Sequence, residues 1–149
     1  MLSKKLRNNF RSDKGDFGLE KVVSKKYGDI EYMHQFKKLN VYQRALKLTK
    51  VVRQITHNFP KNEIFGLSAQ FKRAADSIVL NIAEGAGNVS KKEFARFLSF
   101  SIRSAYECEG CLDIALQNEF INTKTHEKLT TECSEIAAML DGLSKSLSR

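Results

Sequence analysis

Residues 65–98 of this 149-residue chain, FGLSAQFKRAADSIVLNIAEGAGNVSKKEFARFL, predict two helices joined by a short turn. In the first half, apolar residues recur at steps of three and four, which places them on one side of an α-helix. These residues are Leu67, Phe71, Ala74, Ala75, Ile78, Val79 and Ile82. Gly85 and Gly87 then interrupt the pattern, and glycine is common just past a helix end because it reaches positive φ without steric cost. Since the turn is short, the two helices should pack antiparallel.

The polar residues around this turn predict how it is held. Ser90 and Glu93 form a Ser-x-x-Glu capping box, with Ser90 as the N-cap and Glu93 at the third position of the second helix. Asn81 and Glu84 lie at the end of the otherwise apolar first helix. A buried polar side chain costs about 1 to 3 kcal/mol if it stays unpaired. We therefore expect Asn81 and Glu84 to tie down the turn at Gly85 rather than to contact a ligand.

The rest of the chain predicts one further helix on each side of this pair. Apolar residues alternate at steps of four and three over 40–58 and again over 124–147, as in the seam of a helix bundle. Pro60 ends the first of these helices or opens the next one, because proline cannot supply the amide that a continuing helix requires. Together with helices over 63–86 and 91–118, they predict an all-α, antiparallel up-down-up-down four-helix bundle.

Residues 1–35 differ from the predicted bundle, which occupies residues 36–149. Basic residues are mixed with glycines, and no sustained helical period is present. We expect a flexible, basic N-terminal extension. Two interpretations remain open: a leader that precedes an alternative start at Met33, so that residues 1–32 need not be part of the expressed protein, or a basic arm that grips phosphates.

Four pieces of the chain resemble a known family. They are LNVYQRALKL (39–48), FKRAADSI (71–78), NIAEG (81–85) and SKKEFARFL (90–98). In this order and spacing they resemble the four-helix-bundle proteins typified by the 23S rRNA intervening-sequence protein. That family includes the accessory variability determinant of diversity-generating retroelements. The resemblance covers residue 36 to the C-terminus. It implies a ring-shaped homopentamer and an association with nucleic acid, and it implies little about chemistry.

The net charge of +8 points to a polyanionic partner, because a basic surface attracts polyanions at long range. We take the basic residues of the first three predicted helices as candidates for nucleic-acid binding. They are Arg44, Lys47, Lys50, Arg53, Lys72, Arg73, Lys91, Lys92, Arg96 and Arg103. No aromatic–basic RNA-binding motif, zinc finger or helix-turn-helix is recognisable, so binding of RNA or DNA should be independent of sequence. The alternative is a scaffold for a protein partner, whose charge serves solubility alone.

No pattern of chemistry-bearing residues predicts an active site or a metal site. Cys108 and Cys111 form a C-x-x-C pair deep inside the third predicted helix. Structural zinc needs four ligands, and besides this pair the chain offers only Cys133 and three isolated histidines. A redox C-x-x-C pair normally lies at a helix N-terminus, which lowers the thiol pKa. We therefore expect reduced core cysteines, no metal, no cofactor and no enzymatic activity.

The third predicted helix carries a second set of apolar residues beside its core seam. The set consists of Phe97, Phe100, Ile102, Tyr106, Ile114 and Leu116. A helix with so broad an apolar surface is buried on more than one side. The set indicates either a wide core stripe or, as we favour, a subunit interface.

The sequence contains no membrane or secretion signal that we recognise. No apolar run approaches the roughly 18 residues needed to cross a bilayer, and the basic N-terminus lacks the apolar segment of a signal peptide. We expect a cytoplasmic protein that does not contact a membrane.

Overall fold

A computed structural model describes residues 34–88 and 90–147, so residues 1–33 of the predicted N-terminal extension lie outside the described residues. The described residues form four α-helices and no strand. The helices are α1 (Asn40–Thr56), α2 (Leu67–Ala86), α3 (Lys91–Gln117) and α4 (Thr123–Leu147). Two 3-10 turns accompany them, at His34–Lys38 and Lys61–Glu63. The predicted all-α four-helix bundle is confirmed.

Consecutive helices pack side by side, and α4 returns to α1 to close the bundle. Short connections make each helix antiparallel to the one before it. One apolar core fills the interior, and its largest fully buried side chains come from all four helices. They include Leu48, Phe71, Ile78, Ile82, Leu98, Leu112, Ile136 and Leu140. No helix in the described part of the chain is both long enough and apolar enough to cross a membrane.

The start of α2 lies four residues later than the predicted start at residue 63. Residues Lys61–Glu63 form a 3-10 turn instead. The Glu63 carboxylate accepts a hydrogen bond from the Leu67 amide at 3.0 Å, so it caps α2 from outside the helix. At the start of α4, the Asn122 side chain accepts from the Thr125 amide at 2.8 Å. Both helix starts are therefore set by side chains that satisfy free amides of the first turn.

The glycines at the end of α2 do not adopt the left-handed conformation that is typical just past a helix end. No glycine in the described residues has positive φ, and α2 continues through Gly85. Gly85 is buried, and an added Cβ would lie 2.6 Å from Phe97 Cβ and 2.8 Å from Phe94 Cδ2. The missing side chain therefore lets α3 approach α2 closely, and backbone freedom is not the reason for this glycine.

The polar residues before the turn also bond differently from what the sequence led us to expect. The Asn81 side-chain amide donates to the Ser77 carbonyl at 2.8 Å and to the Ser77 hydroxyl at 2.9 Å, one helical turn back. Glu84 contributes its backbone carbonyl, which accepts from the Gly87 amide and from the Asn88 side chain. Because α2 runs past Gly85, these groups support the helix end and not a turn at that glycine.

Polar contacts set the register between α2 and α3. Within the core, the Ser101 hydroxyl donates to the Ile78 carbonyl at 2.9 Å. Nearer the surface, the Ser104 hydroxyl donates to the Ser77 hydroxyl at 3.0 Å. At the start of α3, the Ser90 hydroxyl accepts from the Glu93 amide at 3.4 Å. The two serine bonds between the helices fix which residues of α3 face outward, and the Ser90 bond fixes where α3 begins.

Candidate nucleic-acid interface

Arg44 of α1 is engaged with carboxylates of α4. Its guanidinium donates to both oxygens of Glu132, at 2.8 and 2.7 Å, and also to Glu135. These hydrogen bonds raise the pKa of Arg44 and lower the pKa of Glu132, to which the nearby charge of Lys47 also contributes. The charge of Arg44 is thus compensated within the bundle, whereas Lys47 is exposed on α1.

Arg53 of α1 makes a similar connection to α2. It donates to both carboxylate oxygens of Asp76 at 2.8 Å, and this pairing raises its pKa. Because both oxygens of a carboxylate hold Arg44 and Arg53, each would have to break two hydrogen bonds to reach a phosphate, and both are weak candidates for phosphate contact. Surface pairs of this kind each contribute at most about 1 kcal/mol to stability, and their geometry indicates that they align the helices.

The other candidates on α1 and α2 differ in exposure. Lys50 is exposed on α1, and Lys72 of α2 is half-buried. Arg73 is exposed and donates to the Gln70 side chain at 2.8 Å. Arg53 is held by Asp76, so Lys50 and Arg73 are the exposed cations of this group that no carboxylate is shown to hold.

The first half of α3 brings the remaining candidates together. Lys91, Lys92, Arg96 and Arg103 are all exposed there. The guanidinium carbons of Arg96 and Arg103 lie 5.5 and 5.2 Å from the ring centre of Phe100, within the range of a cation–π contact. We call this surface the α3 basic face, and it consists of Lys91, Lys92, Arg96, Phe97, Phe100 and Arg103.

The charges of the α3 basic face lie along one helix. At 1.5 Å per residue, Lys92, Arg96 and Arg103 follow one another at about 6 and about 10 Å along the axis. Glu93 is the one carboxylate between residues 91 and 103, and it pairs with Arg96 at 3.3 Å. Four cations against one carboxylate leave a positive surface, and the positive end of the α3 dipole adds to it.

The aromatic part of the α3 basic face was missed by sequence reasoning. Phe97 and Phe100 meet edge to face, with ring centres 5.7 Å apart, and Phe100 lies between two arginines in sequence. The spacing Arg-x-x-x-Phe-x-x-Arg could have revealed the cluster, because residues three and four apart are neighbours on a helix surface. The members of the second apolar set on α3 have different surroundings. Ile102 packs against the core, whereas Tyr106 is 59% exposed.

The three cysteines are free and buried. Cys108 of α3 shares a thiol hydrogen bond with Cys133 of α4, and this bond together with burial raises the pKa of Cys108 well above its ordinary range. Burial raises the pKa of Cys111 to about 11. Within residues 34–88 and 90–147, no three histidine, cysteine or acidic side chains are grouped so that they could hold a metal ion.

We expect the thiols to react slowly in the native protein. With a pKa of about 11 for Cys111, roughly 0.1% of that thiol is ionised near pH 8, and the thiolate is the reactive form. Labelling with a chromogenic disulfide reagent should take hours in buffer and become rapid for all three cysteines in denaturant. Rapid labelling of one cysteine in buffer would instead identify a reactive thiol and reopen an enzymatic role.

The fold and this surface define a class: a small helical-bundle protein with a basic, partly aromatic helix face. Residues 37–142 match the model of the 23S rRNA-intervening sequence protein, and the chain belongs to that family. It is also similar in structure to a protein of unknown function from the S23 ribosomal protein family of Bacteroides thetaiotaomicron VPI-5482. The TM-score is 0.65 at 24% identity, over 70% of this chain and 95% of the other. A search of curated proteins finds no match.

Proposed function

We propose that this protein is a non-enzymatic, oligomeric adaptor that binds the phosphates of RNA or DNA through the α3 basic face. The observation that carries the proposal is the alignment of Lys91, Lys92, Arg96 and Arg103 on one exposed stretch of helix. Membership of a family named for a 23S rRNA intervening sequence supports nucleic acid as the partner. We place this activity in the cytoplasm, where the cysteines stay reduced.

Phosphate contacts of this kind make binding sensitive to salt, because each neutralised phosphate releases counterions. Four contacts would make affinity fall by about 100-fold between roughly 50 and 200 mM salt. They would carry little information about base sequence. The protein should therefore bind duplexes of different base sequence with similar affinity.

Assembly would strengthen such contacts. We propose the homopentamer that the family resemblance implies, since several copies of the α3 basic face on one particle convert weak contacts into avidity. The exposed apolar side chains Tyr106 and Ile114 of α3, which are 59% and 51% exposed, are compatible with either partner contact or subunit contact.

Reversing three charges of the α3 basic face is expected to weaken binding at least tenfold near 50 mM salt. The variant is Lys91→Glu/Lys92→Glu/Arg96→Glu, measured by fluorescence anisotropy on fluorescently labelled short RNA and DNA duplexes. It loses three phosphate contacts and adds repulsion. Thermal unfolding followed by circular dichroism should show that the helices remain folded, because an acidic residue near a helix N-terminus is favourable.

The control variant has the same net charge as the test variant, but its three substitutions lie at the other end of the bundle. It is Lys61→Glu/Lys124→Glu/Lys128→Glu, at three exposed positions. We expect its affinity to stay within about threefold of the unmodified protein, because its changes lie far from the α3 basic face relative to the screening length. Equal weakening of both variants would show that net charge, and not this face, causes binding.

A protein-interaction scaffold is the second candidate function, and one observation favours it. Phe65 is 94% exposed and Ile64 is 53% exposed, on a turn held by Glu63. A large aromatic side chain on an ordered turn is typical of a protein contact. If the unmodified protein fails to bind any nucleic acid near 50 mM salt, the nucleic-acid proposal fails and this scaffold role becomes the better one.

A further inference from the structure

Tyr106 extends the α3 basic face by one helical turn. It lies three residues after Arg103, so the two side chains are neighbours on the helix surface. Its side chain is 59% exposed, and it is not among the residues that pack against the core. The outward surface of α3 thus carries an arginine, then the Phe100 ring, then a second arginine, and then an open tyrosine ring.

The positively charged surface of α3 ends after Tyr106, where acidic residues begin. Past Tyr106, α3 carries Glu107, Glu109 and Asp113, and each is engaged with a neighbouring helix. Glu107 accepts from Gln70, Glu109 accepts from Ser134 at 2.8 Å, and Asp113 lies 2.7 Å from a ring nitrogen of His126. An anionic ligand is therefore favoured up to Tyr106 and disfavoured beyond it.

The length of the favourable stretch suggests the size of the ligand. Lys92 and Tyr106 are about 21 Å apart along the helix axis at 1.5 Å per residue. A stacked nucleic-acid strand advances roughly 3.4 Å per nucleotide. The α3 basic face of one subunit, extended to Tyr106, is therefore long enough to contact about six nucleotides.

An aromatic ring on a convex helix distinguishes paired from unpaired nucleotides. In a duplex the base faces are covered by their neighbours, and only phosphates and base edges are accessible. In an unpaired strand the base faces are open, and both aromatic rings and guanidinium planes stack on them. The exposed ring of Tyr106 would therefore contribute to binding of an unpaired strand and contribute little to binding of a duplex.

We propose that the α3 basic face, extended by Tyr106, binds unpaired segments of RNA, an inference that rests on the proposed function. Tyr106 stacks on a base, and Lys92, Arg96 and Arg103 contact the phosphates on the same stretch. RNA is the occupant because unpaired nucleotides are abundant in its loops and ends, where proteins reach them, whereas DNA is mostly duplex.

The test compares Tyr106→Leu with Tyr106→Phe, which keeps the ring and serves as the matched control. The probes are an unstructured RNA of about 12 nucleotides, the DNA strand of the same sequence, and the duplex of each with its complement. Anisotropy near 50 mM salt should show that the unmodified protein prefers the single RNA strand to its duplex. Tyr106→Leu should weaken binding of the single strand about tenfold and leave duplex binding unchanged, and Tyr106→Phe should bind like the unmodified protein.

A second readout does not depend on affinity. The chain has no tryptophan and four tyrosines, so tyrosine emission can be measured directly. Stacking of a base on Tyr106 should quench part of this emission when RNA is added. Saturating RNA should produce less quenching in Tyr106→Phe, although that variant still binds.

The outcomes separate this inference from the proposed function. Equal affinity for single strand and duplex, with no effect of Tyr106→Leu, would overturn base stacking and leave phosphate binding in place. Tighter binding of the single DNA strand than of the RNA strand would overturn the assignment to RNA. Failure of the unmodified protein to bind any of the probes would overturn the proposed function itself.

Discussion

Replacing Phe71 with alanine is expected to lower the free energy of unfolding by about 3 to 5 kcal/mol. Phe71 lies on α2 with none of its side chain exposed. Its removal loses the transfer free energy of the ring and leaves a cavity that a four-helix core cannot fully close. Because a domain of this size is stable by only about 5 to 15 kcal/mol, this variant should unfold at a much lower urea concentration, as followed by circular dichroism.

Phe65 provides the matched control, since the same truncation is made at a side chain that is 94% exposed. Phe65→Ala is expected to change the free energy of unfolding by no more than about 0.5 kcal/mol. The two phenylalanines lie six residues apart, yet one is in the core and the other at the surface. A loss below about 1 kcal/mol for Phe71→Ala would mean that the core is not packed around this ring.

Replacing Gly85 with alanine is expected to destabilise the protein by about 2 to 3 kcal/mol, although alanine is the better helix former. The new Cβ would lie 2.6 Å from Phe97 Cβ and 2.8 Å from Phe94 Cδ2. A Cβ atom cannot rotate away, so the backbone of α3 must move. The cost should exceed the roughly 1 kcal/mol that alanine contributes to helix propensity.

Gly110 of α3 and Gly142 of α4 are the controls, because an added Cβ at either position meets no atom within 4 Å. Gly110→Ala and Gly142→Ala should each stabilise the protein by about 0.5 to 1 kcal/mol. The same substitution is thus expected to change stability in opposite directions. Stabilisation by Gly85→Ala in urea unfolding would contradict the close approach of α3 to α2.

Gly85 also connects the fold to the candidate interface. Phe97 lies against Gly85 on one side and meets the edge of Phe100 on the other. A shift of α3 at Gly85 should therefore displace Phe100 and the two arginines beside it. The position of the α3 basic face depends on a residue that itself carries no functional group.

The sequence alone determined the number and type of the helices, and most of their limits. Apolar spacing, the proline after α1 and the short links are local properties, and each is present in the chain before it folds. The predicted start of α2 at residue 63 was wrong. Glutamate is a good helix former, so the sequence does not distinguish a Glu63 inside the helix from one that caps it from the preceding turn. The family resemblance carried by the four pieces between residues 39 and 98 is confirmed by the match over residues 37–142.

The candidate interface depended more on tertiary structure. From the sequence, all ten basic residues were equally good candidates for binding phosphate. In the structure Arg44 and Arg53 pair with carboxylates 88 and 23 residues away. No local sequence pattern reveals partners at such distances. The phosphate contacts and the homopentamer stay predictions, to be tested by the binding experiments above.

What only the tertiary structure decided is which neighbours each side chain meets. Periodicity assigns a residue to a face of its own helix, but the register of the adjacent helix determines what lies opposite. Gly85 appeared to be a turn residue until α3 was placed against it. Phe100 was one member of an apolar set in the sequence, and only the structure shows Arg96 and Arg103 beside its ring. Helix formation follows from local sequence, whereas close approach, ion pairing and ring contacts arise from packing between distant segments.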